Sequence, residues 1–332
     1  MRGTPSPRTR GPVLLGCECR SDHGLGDGTM TNVRDTNVVA VVLNWRDTAR
    51  TIACAESLTA LREVSLVVVV DNESDGELAE RVGTSLSPVL ASKLRIVPVA
   101  ENRGFAGGVN VALRIEEVRC ADMVLAINND AVLGRSALVR LRDALVSHPA
   151  AGAVGPIVRN VDGTVQSKGA ALTPTGLRIS QVATSPDYLT WACVLLRGQA
   201  MREVGLLDEQ FFMYWEDYDY GLRLKSGGWG LLLVEDADAV HELSASGSSA
   251  GNLLRTYYAE SLLLFAIKWR ANLGVRPWVH FAAILGSRVA RRDGRGLLAL
   301  LAAIPSTFRY VGACRSAEGA TPRWALRPQK NS

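Results

Sequence analysis

The sequence predicts an α/β fold in which a mainly parallel central sheet carries helices on both faces. Three observations lead there. Runs of Val, Ile and Leu recur at Val38–Trp45, Leu66–Val70, Leu94–Val97 and Met123–Ile127, and strands apolar at nearly every position are those buried on both sides. Stretches of helical length separate most of these runs, as βαβ crossovers require. With 332 residues, 47% of them apolar, the chain can build a full-sized core.

Taken in order, the first strand is followed by a helix from about Thr48 to Leu61. The second ends in turn chemistry at Asp71–Gly76, and the third precedes a helix over about Gly107 to Val118. The fourth precedes a helix over roughly Ser136–Ser147. Beyond residue 150 the strands become shorter, at about 153–158, 164–170, 190–197 and 230–234, and a dense aromatic and acidic segment, Phe211–Leu224, lies among them. Parallel connections of this kind are right-handed, and ligands bind beyond the carboxyl ends of the strands. The residues just after each strand are therefore the informative ones. They are Asn44-Trp45, Asp71-Asn72, Glu101-Asn102-Arg103-Gly104 and Asn128-Asn129-Asp130.

The net charge of +4 is unevenly distributed. Residues 1–36 carry +1, residues 37–267 carry −7 and residues 268–332 carry +10. An acidic body argues against nucleic acid as its partner. Residues 1–36 show no periodicity and read as a disordered leader, neither signal peptide nor anchor. The six cysteines form no disulfide framework, and Cys17-x-Cys19 lacks a second pair to make a metal knuckle. A reducing cytoplasm is expected.

Several motifs fail on context. No Gly-x-Gly-x-x-Gly turn follows the first strand and no phosphate loop of the Gly-Lys type occurs, which excludes the common dinucleotide and P-loop enzymes. Gly247-Ser-Ser249-Ala-Gly251 fits a hydrolase pattern, but no strong strand precedes it. Other segments carry chemistry. Asn102 to Asn110 combines glycines, a helix start and the Arg103 fork; it is either a plain strand-to-helix connection or a place where backbone meets phosphate. Asp130 is either a helix cap or the lone carboxylate of a divalent cation on a diphosphate, where phosphate and water oxygens fill the other positions. Trp215-Glu216-Asp217-Tyr218-Asp219-Tyr220 sets three carboxylates among aromatics. The segment is either a capped helix start with solvated acids or a place where burial and mutual repulsion would raise a carboxyl pKa into the range of a general base. His241 becomes a metal-ligand candidate if the fold returns it to Asp130.

As a set, the segments VVLNW, VVVVDNESDG, ENRGFAGGVN, LAINNDAVL, AAGAVGPIV, GLLDEQFFMYWEDYDYGLRL and AVH resemble the inverting glycosyltransferases of family two. The resemblance runs from Val38 to about Arg270 and is closest to the rhamnosyltransferase-like branch. It implies a GT-A nucleotide-diphospho-sugar transferase fold over 37–270, with a nucleotide-binding half (37–150) and an acceptor and catalytic half (151–270). It also implies roles. Asn44 and Asp71 contact the nucleoside, while Asn102, Arg103, Gly104, Gly107, Asn128 and Asn129 complete the nucleotide side. Asp130 and His241 hold Mg²⁺ or Mn²⁺, Asp217 is the general base, and Glu216 orients it or binds acceptor. Trp191, Trp215 and Asp219 face the sugar or acceptor pocket. The implied partners are a nucleotide-diphospho-sugar donor and a glycan or lipid-linked acceptor, with no nucleic acid. The donor expected is dTDP-rhamnose; the alternatives are UDP-galactose, UDP-glucose or another nucleotide sugar, or a catalytically silent nucleotide-sugar-binding protein.

Two features depart from the family's pattern. Thr190-Trp191-Ala192 stands where relatives carry Ser-Gly-Ala, and Glu260-Ser261 where relatives carry Arg-Asn. The tail, 271–332, reads as a basic amphipathic helical extension. Its apolar stretches Trp278–Ser287 and Gly296–Phe308 fall short of the roughly 20 residues that span a bilayer. With the arginines between them, they fit either helices lying on an anionic membrane surface, the inner face of the plasma membrane, or a basic helical appendage packed on the catalytic domain.

Overall fold

A computed structural model of the chain describes residues 37–85, 88–173, 176–179, 186–242 and 251–316. The expected leader, the Cys17 and Cys19 pair, most of the 247–251 loop and the last residues of the tail lie outside this set.

The first half alternates strand and helix: β1 (Val38–Asn44), α1 (Thr48–Thr59), β2 (Val64–Asn72), α2 (Glu77–Ser85), α3 (Pro88–Ala91), β3 (Leu94–Val99), α4 (Gly104–Leu113), α5 (Glu116–Arg119), β4 (Met123–Asn128), β5 (Ala131–Leu133) and α6 (Arg135–Ser147). The second half holds β6 (Ala151–Arg159), β7 (Val165–Ser167), β8 (Ala170–Thr173), β9 (Gly176–Ile179), β10 (Cys193–Arg197), α7 (Gly198–Val204), α8 (Glu216–Ser226) and β11 (Gly230–His241). Four helices complete the chain: α9 (Gly251–Lys268), α10 (Arg270–Leu273), α11 (Arg276–Ala290) and α12 (Gly294–Ser316).

The main sheet runs β3-β2-β1-β4-β10-β6-β11-β5, with β7 added beside β6. The expected parallel order holds for β3, β2, β1 and β4, and again where β11 lies along β6. Between these blocks β10 runs antiparallel to both β4 and β6, so the sheet is mixed. Val38 to Val42 are all buried, because helices cover both sides of β1. One face packs against α1, α2 and α6 through Ile52, Leu58, Leu78, Leu138 and Leu141. The other packs against α4, α5, α7 and α8 through Val109, Leu113, Val118, Met201 and Leu224. Asp47 caps α1 by accepting from the Arg50 amide at 3.3 Å.

Three local expectations change. The helix expected over 107–118 begins earlier, at Gly104, whose φ of +70° favours glycine, and it breaks at Arg114–Ile115 into α4 and α5. The acidic stretch 235–238 is no turn: a register shift between Val234 and Asp238 absorbs it, and β11 runs on to His241. Short β5 was not foreseen, and it pairs antiparallel with β11 so that His241 lies opposite Ala131. Cys54 and Cys193 are buried free thiols, whereas Cys120 is disulfide-bonded, against the expectation of reduced cysteines throughout.

A third apolar cluster joins α9, α11 and α12 to the segment before α8. Leu262, Phe265, Phe281 and Leu300 pack there with Phe211, Trp215 and Tyr218. The tail helices thus form one wall of the region that holds the aromatic and acidic motif.

Candidate active site

The carboxyl ends of β1, β2 and β4 open into a cleft of about 720 Å³, bounded opposite by the start of α8 and by α9. Of the residues singled out from sequence, Asn102, Gly104, Asn128, Asp130, His241, Trp191, Trp215, Glu216 and Asp217 line it. Asn44, Asp71, Arg103, Gly107, Asn129 and Asp219 do not.

Asn44 and Asp71 lie just behind the cleft wall, both buried. Asn44 Nδ2 donates to Asp71 Oδ1 at 2.6 Å and Ser74 Oγ donates to Asp71 Oδ2 at 2.5 Å. Thr51 Oγ1 lies 2.7 Å from Asn44 Oδ1 and accepts from Asn129 Nδ2 at 2.9 Å. Side chains from β1, β2, α1 and the end of β4 therefore form one polar network. Thr51 was missed from sequence because a threonine inside a helix carries no signal.

The Gly-rich segment connects β3 to α4, one of the two readings that its composition allowed. The Phe105 amide donates to the Phe212 carbonyl at 2.7 Å, and a Cβ on Gly104 would collide with that carbonyl. On Gly108 it would meet Leu43 Cδ1 at 2.5 Å. These glycines admit protein neighbours. Asn72 fixes the loop, accepting from the Arg103 amide at 3.0 Å and donating to Asn102 Oδ1 at 3.1 Å.

At the opposite edge of the sheet, β5 and β11 bring together the two residues expected to hold a metal. His241 Nε2 lies 3.0 Å from Asp130 Oδ1, and the Glu242 amide donates to the Asp130 carbonyl at 2.9 Å. Asn128 Nδ2 is 3.2 Å from the same imidazole nitrogen, and Gln166 Oε1 is 2.6 Å from Nδ1. No group of three or more His, Cys, Asp and Glu side chains able to hold a metal occurs among the described residues. One carboxylate oxygen and one imidazole nitrogen at chelating distance nevertheless suit a hard divalent cation whose other ligands are phosphate and water oxygens. Gln166 sits on β7 and was missed because glutamine in a short polar strand reads as surface.

The third part of the cleft surrounds α8. Tyr214 and Trp215 both take left-handed backbone, φ 68° and 69°, a conformation that costs a non-glycine residue about 1–3 kcal/mol. Tertiary contacts hold it. Ser261 Oγ donates to the Met213 carbonyl at 2.9 Å, and the Trp215 ring packs on Tyr218, Tyr258, Phe265 and His280 with centroids 5.0–5.7 Å apart. The Tyr188 and Tyr218 rings stack at 4.2 Å. Within this aromatic wall burial pushes the Asp217 carboxyl up to about 7. Glu216 is also raised well above the usual carboxylate range, by burial and then by the charge of Asp217. Trp215 Nε1, Glu216 Oε2 and the Tyr218 hydroxyl are buried in the cleft wall without protein hydrogen-bond partners, a configuration that a polyhydroxylated ligand would satisfy.

Asp219 belongs elsewhere. It is fully buried, accepting from Arg223 Nε and Trp269 Nε1 at 2.9 Å and pairing with Lys268 Nζ at 2.6 Å. These bonds tie α8 to α9 and to Trp269 just beyond it. Trp191 is buried in the cleft floor, edge-on to Phe105 and Tyr220 at 6.5 and 5.1 Å. Glu260 accepts from Ser306 Oγ at 2.5 Å and so fastens α9 to α12.

The family described as Glycosyltransferase like family 2 matches residues 36–259. The chain belongs to glycosyltransferase family two. It is 28% identical over 253 residues to the N-acetylglucosaminyl-diphospho-decaprenol L-rhamnosyltransferase of Mycobacterium tuberculosis, covering 65% of this chain and 80% of the relative. It is 19% identical over 216 residues to a dTDP-rhamnosyl transferase of Shigella flexneri, covering 63% and 70%. Among solved structures, a mannosyltransferase from Pyrobaculum calidifontis in complex with GDP-Man and Mn²⁺ superposes with a TM-score of 0.54 at 20% identity, covering 87% of this chain and 77% of that one. The fold is therefore GT-A. The family-two enzyme is a transferase that takes its sugar from a nucleotide-sugar donor, and inversion at the anomeric carbon is general to its family.

Proposed function

We propose that the protein transfers a deoxyhexose, rhamnose from dTDP-rhamnose, to a hydroxyl of a glycan or lipid-linked acceptor. The carrying observation is that one cleft is lined both by the Asp130 and His241 pair and by Asp217, whose carboxyl titrates near neutrality. Similarity to two rhamnosyltransferases favours the sugar.

In this reading the network of Asn44, Thr51, Asp71 and Asn129 supports the nucleoside end of the donor, and Asn102 and Asn128 face its phosphates. Asp130 and His241 would hold Mg²⁺ or Mn²⁺, which when bound supplies charge stabilisation to the departing diphosphate. Asp217 takes the proton of the acceptor hydroxyl as that oxygen attacks the anomeric carbon from the face opposite the leaving group, which inverts it. Glu216, whose carboxyl burial and the neighbouring Asp217 charge push well up, orients the acceptor. The aromatic wall of Tyr188, Trp215 and Tyr218 presents apolar ring faces and unpaired polar atoms, which suits a pyranose acceptor. The half over 37–150 then serves the donor, and the half over 151–270 serves the acceptor and the catalytic base while lending His241 to the donor's metal.

The tail supports a membrane-bound acceptor. No helix among the described residues is long and apolar enough to cross a membrane. On α11 and the residue before it, Val275, Trp278, Val279 and Val289 are exposed, and on α12 Leu298, Leu301 and Phe308 are exposed, in each case at helical spacing along one stripe. Arg291, Arg292 and Arg295 are exposed around the turn between the helices, and Arg276 is exposed at the start of α11. Apolar stripes flanked by cations fit an anionic lipid surface.

Release of nucleoside diphosphate from a panel of nucleotide sugars, with lipid-linked and free glycan acceptors, tests the assignment. Turnover with dTDP-rhamnose above all other donors is expected. Preference for UDP-galactose or UDP-glucose would replace the sugar, and no turnover with any donor, despite nucleotide binding, would leave a binding protein.

A further inference from the structure

His241 reaches the cleft through a one-way relay of hydrogen bonds that begins at a surface turn. Asp162 is a carboxylate and can only accept; Thr164 Oγ1 donates to Asp162 Oδ1 at 2.5 Å. With its proton so used, Thr164 Oγ1 accepts from Asn160 Nδ2 at 2.9 Å. That turns Asn160 Oδ1 toward Gln166, whose Nε2 donates to it at 2.9 Å. Gln166 Oε1 is then the atom left facing His241 Nδ1 at 2.6 Å. A carbonyl oxygen at that distance requires Nδ1 to carry the proton. The neutral ring is thereby left with its lone pair on Nε2, the nitrogen beside Asp130 and Asn128 Nδ2.

We infer that Gln166 is a positioning residue that fixes the tautomer and orientation of His241, with the 160–164 turn setting the direction of the whole relay. The inference rests on the reading of Asp130 and His241 as metal ligands, and it assigns Gln166 the part that an outer hydrogen-bond partner plays at a metal-ligating imidazole. The free neutral imidazole favours its proton on Nε2, where it would block a cation; Gln166 reverses that preference. The relay lies within the β6–β7 hairpin at exposed or half-buried positions, so a conservative change at 166 leaves the apolar core intact.

Two measurements on the full chain test it. Long-range ¹H–¹⁵N spectra at a pH where the four histidines are neutral report each tautomer, and His241→Ala identifies its signals. The wild-type ring should carry its proton on Nδ1 and Gln166→Leu should shift it toward Nε2. A wild-type ring protonated on Nε2 overturns the inference. Mn²⁺ titrations followed by electron paramagnetic resonance, with dTDP present, supply the second readout. Gln166→Leu should weaken Mn²⁺ binding roughly 10- to 100-fold, while Gln166→Glu, which still accepts from Nδ1, should stay near wild type. Full Mn²⁺ affinity in Gln166→Leu, alongside a loss in His241→Ala, overturns the inference alone. Unchanged affinity in His241→Ala would instead remove the metal reading, and the spectra would still decide the tautomer.

Discussion

His241 Nε2 and Asp130 Oδ1 face each other at 3.0 Å, brought together by the pairing of β11 with β5. With the imidazole proton on the far nitrogen, two lone pairs converge on one point, and a cation there would neutralise the repulsion. If the pair holds a metal as proposed, removal of either side chain should therefore weaken metal-dependent transfer strongly without unfolding the protein. Asp130→Asn should lower kcat/KM on the order of 100-fold, about 3 kcal/mol of lost charge stabilisation. The check is activity against Mn²⁺ concentration, beside a thermal melt. A variant with full activity in chelator would remove both residues from the metal.

Asp217→Asn keeps the shape of the side chain and removes its basicity. Turnover should fall roughly 10²- to 10⁴-fold, the contribution of a positioned general base, while dTDP binding measured calorimetrically stays unchanged. Loss of nucleotide binding in parallel would mean that Asp217 acts on the donor.

Burial sets the pH dependence. Asp217 is raised from the ordinary aspartate range to about 7, and only its ionised form accepts a proton. Activity should thus rise with pH and level off above about 7, losing close to tenfold per unit below it. The stability consequence has the opposite sign. An acid whose folded pKa exceeds its unfolded value favours the folded state when protonated, so stability declines as pH rises from about 4 to 7. Asp217→Asn should accordingly raise Tm at pH 8 and leave it nearly unchanged at pH 4. A flat activity profile between pH 5 and 8 would contradict the assignment.

Much of this was legible because parallel strands write themselves as unbroken apolar runs. Val38–Asn44, Val64–Asn72 and Met123–Asn128 each end in the polar residues that reach or back the cleft. The second half was harder to read. His241 depends on a strand that crosses an acidic bulge, and acidic residues in sequence imitate a turn. Asp219 shares the composition of Glu216 and Asp217, yet the helical turn points it at Arg223, Lys268 and Trp269, partners too distant in the chain for spacing to reveal. The same holds for Tyr188 and Tyr258, which join the cleft only through tertiary packing.

The Asp219 cluster makes a contrasting prediction within the same motif. Asp219→Ala leaves Lys268 and Arg223 without their shared carboxylate, and because both are partly exposed the cost should be about 2–3 kcal/mol, below that of a fully buried pair. Urea unfolding should show a lower midpoint with an unchanged slope. The protein that remains folded should turn over far better than Asp217→Asn. Equal catalytic loss in the two variants would place Asp219 in the reaction.

The exposed stripes on α11 and α12 predict binding to anionic vesicles that depends on both apolar contact and charge. Full-length protein should float with vesicles containing phosphatidylglycerol and much less with phosphatidylcholine alone. Because screening at about 0.5 M salt shortens the reach of surface charge to a few ångströms, flotation should weaken there. Trp278→Glu combined with Leu298→Glu places charge on two exposed positions, so the fold should persist while binding is lost. Arg291→Gln with Arg292→Gln removes two exposed cations, worth about 1 kcal/mol each near such a surface, which corresponds to roughly 30-fold weaker binding. Transfer to a short, soluble acceptor should be unaffected in all of these variants, since none lines the cleft. Wild-type protein that ignores anionic vesicles would rule out the membrane surface. If the wild type were dimeric and Trp278→Glu monomeric, the stripes would be an interface between two copies of the chain.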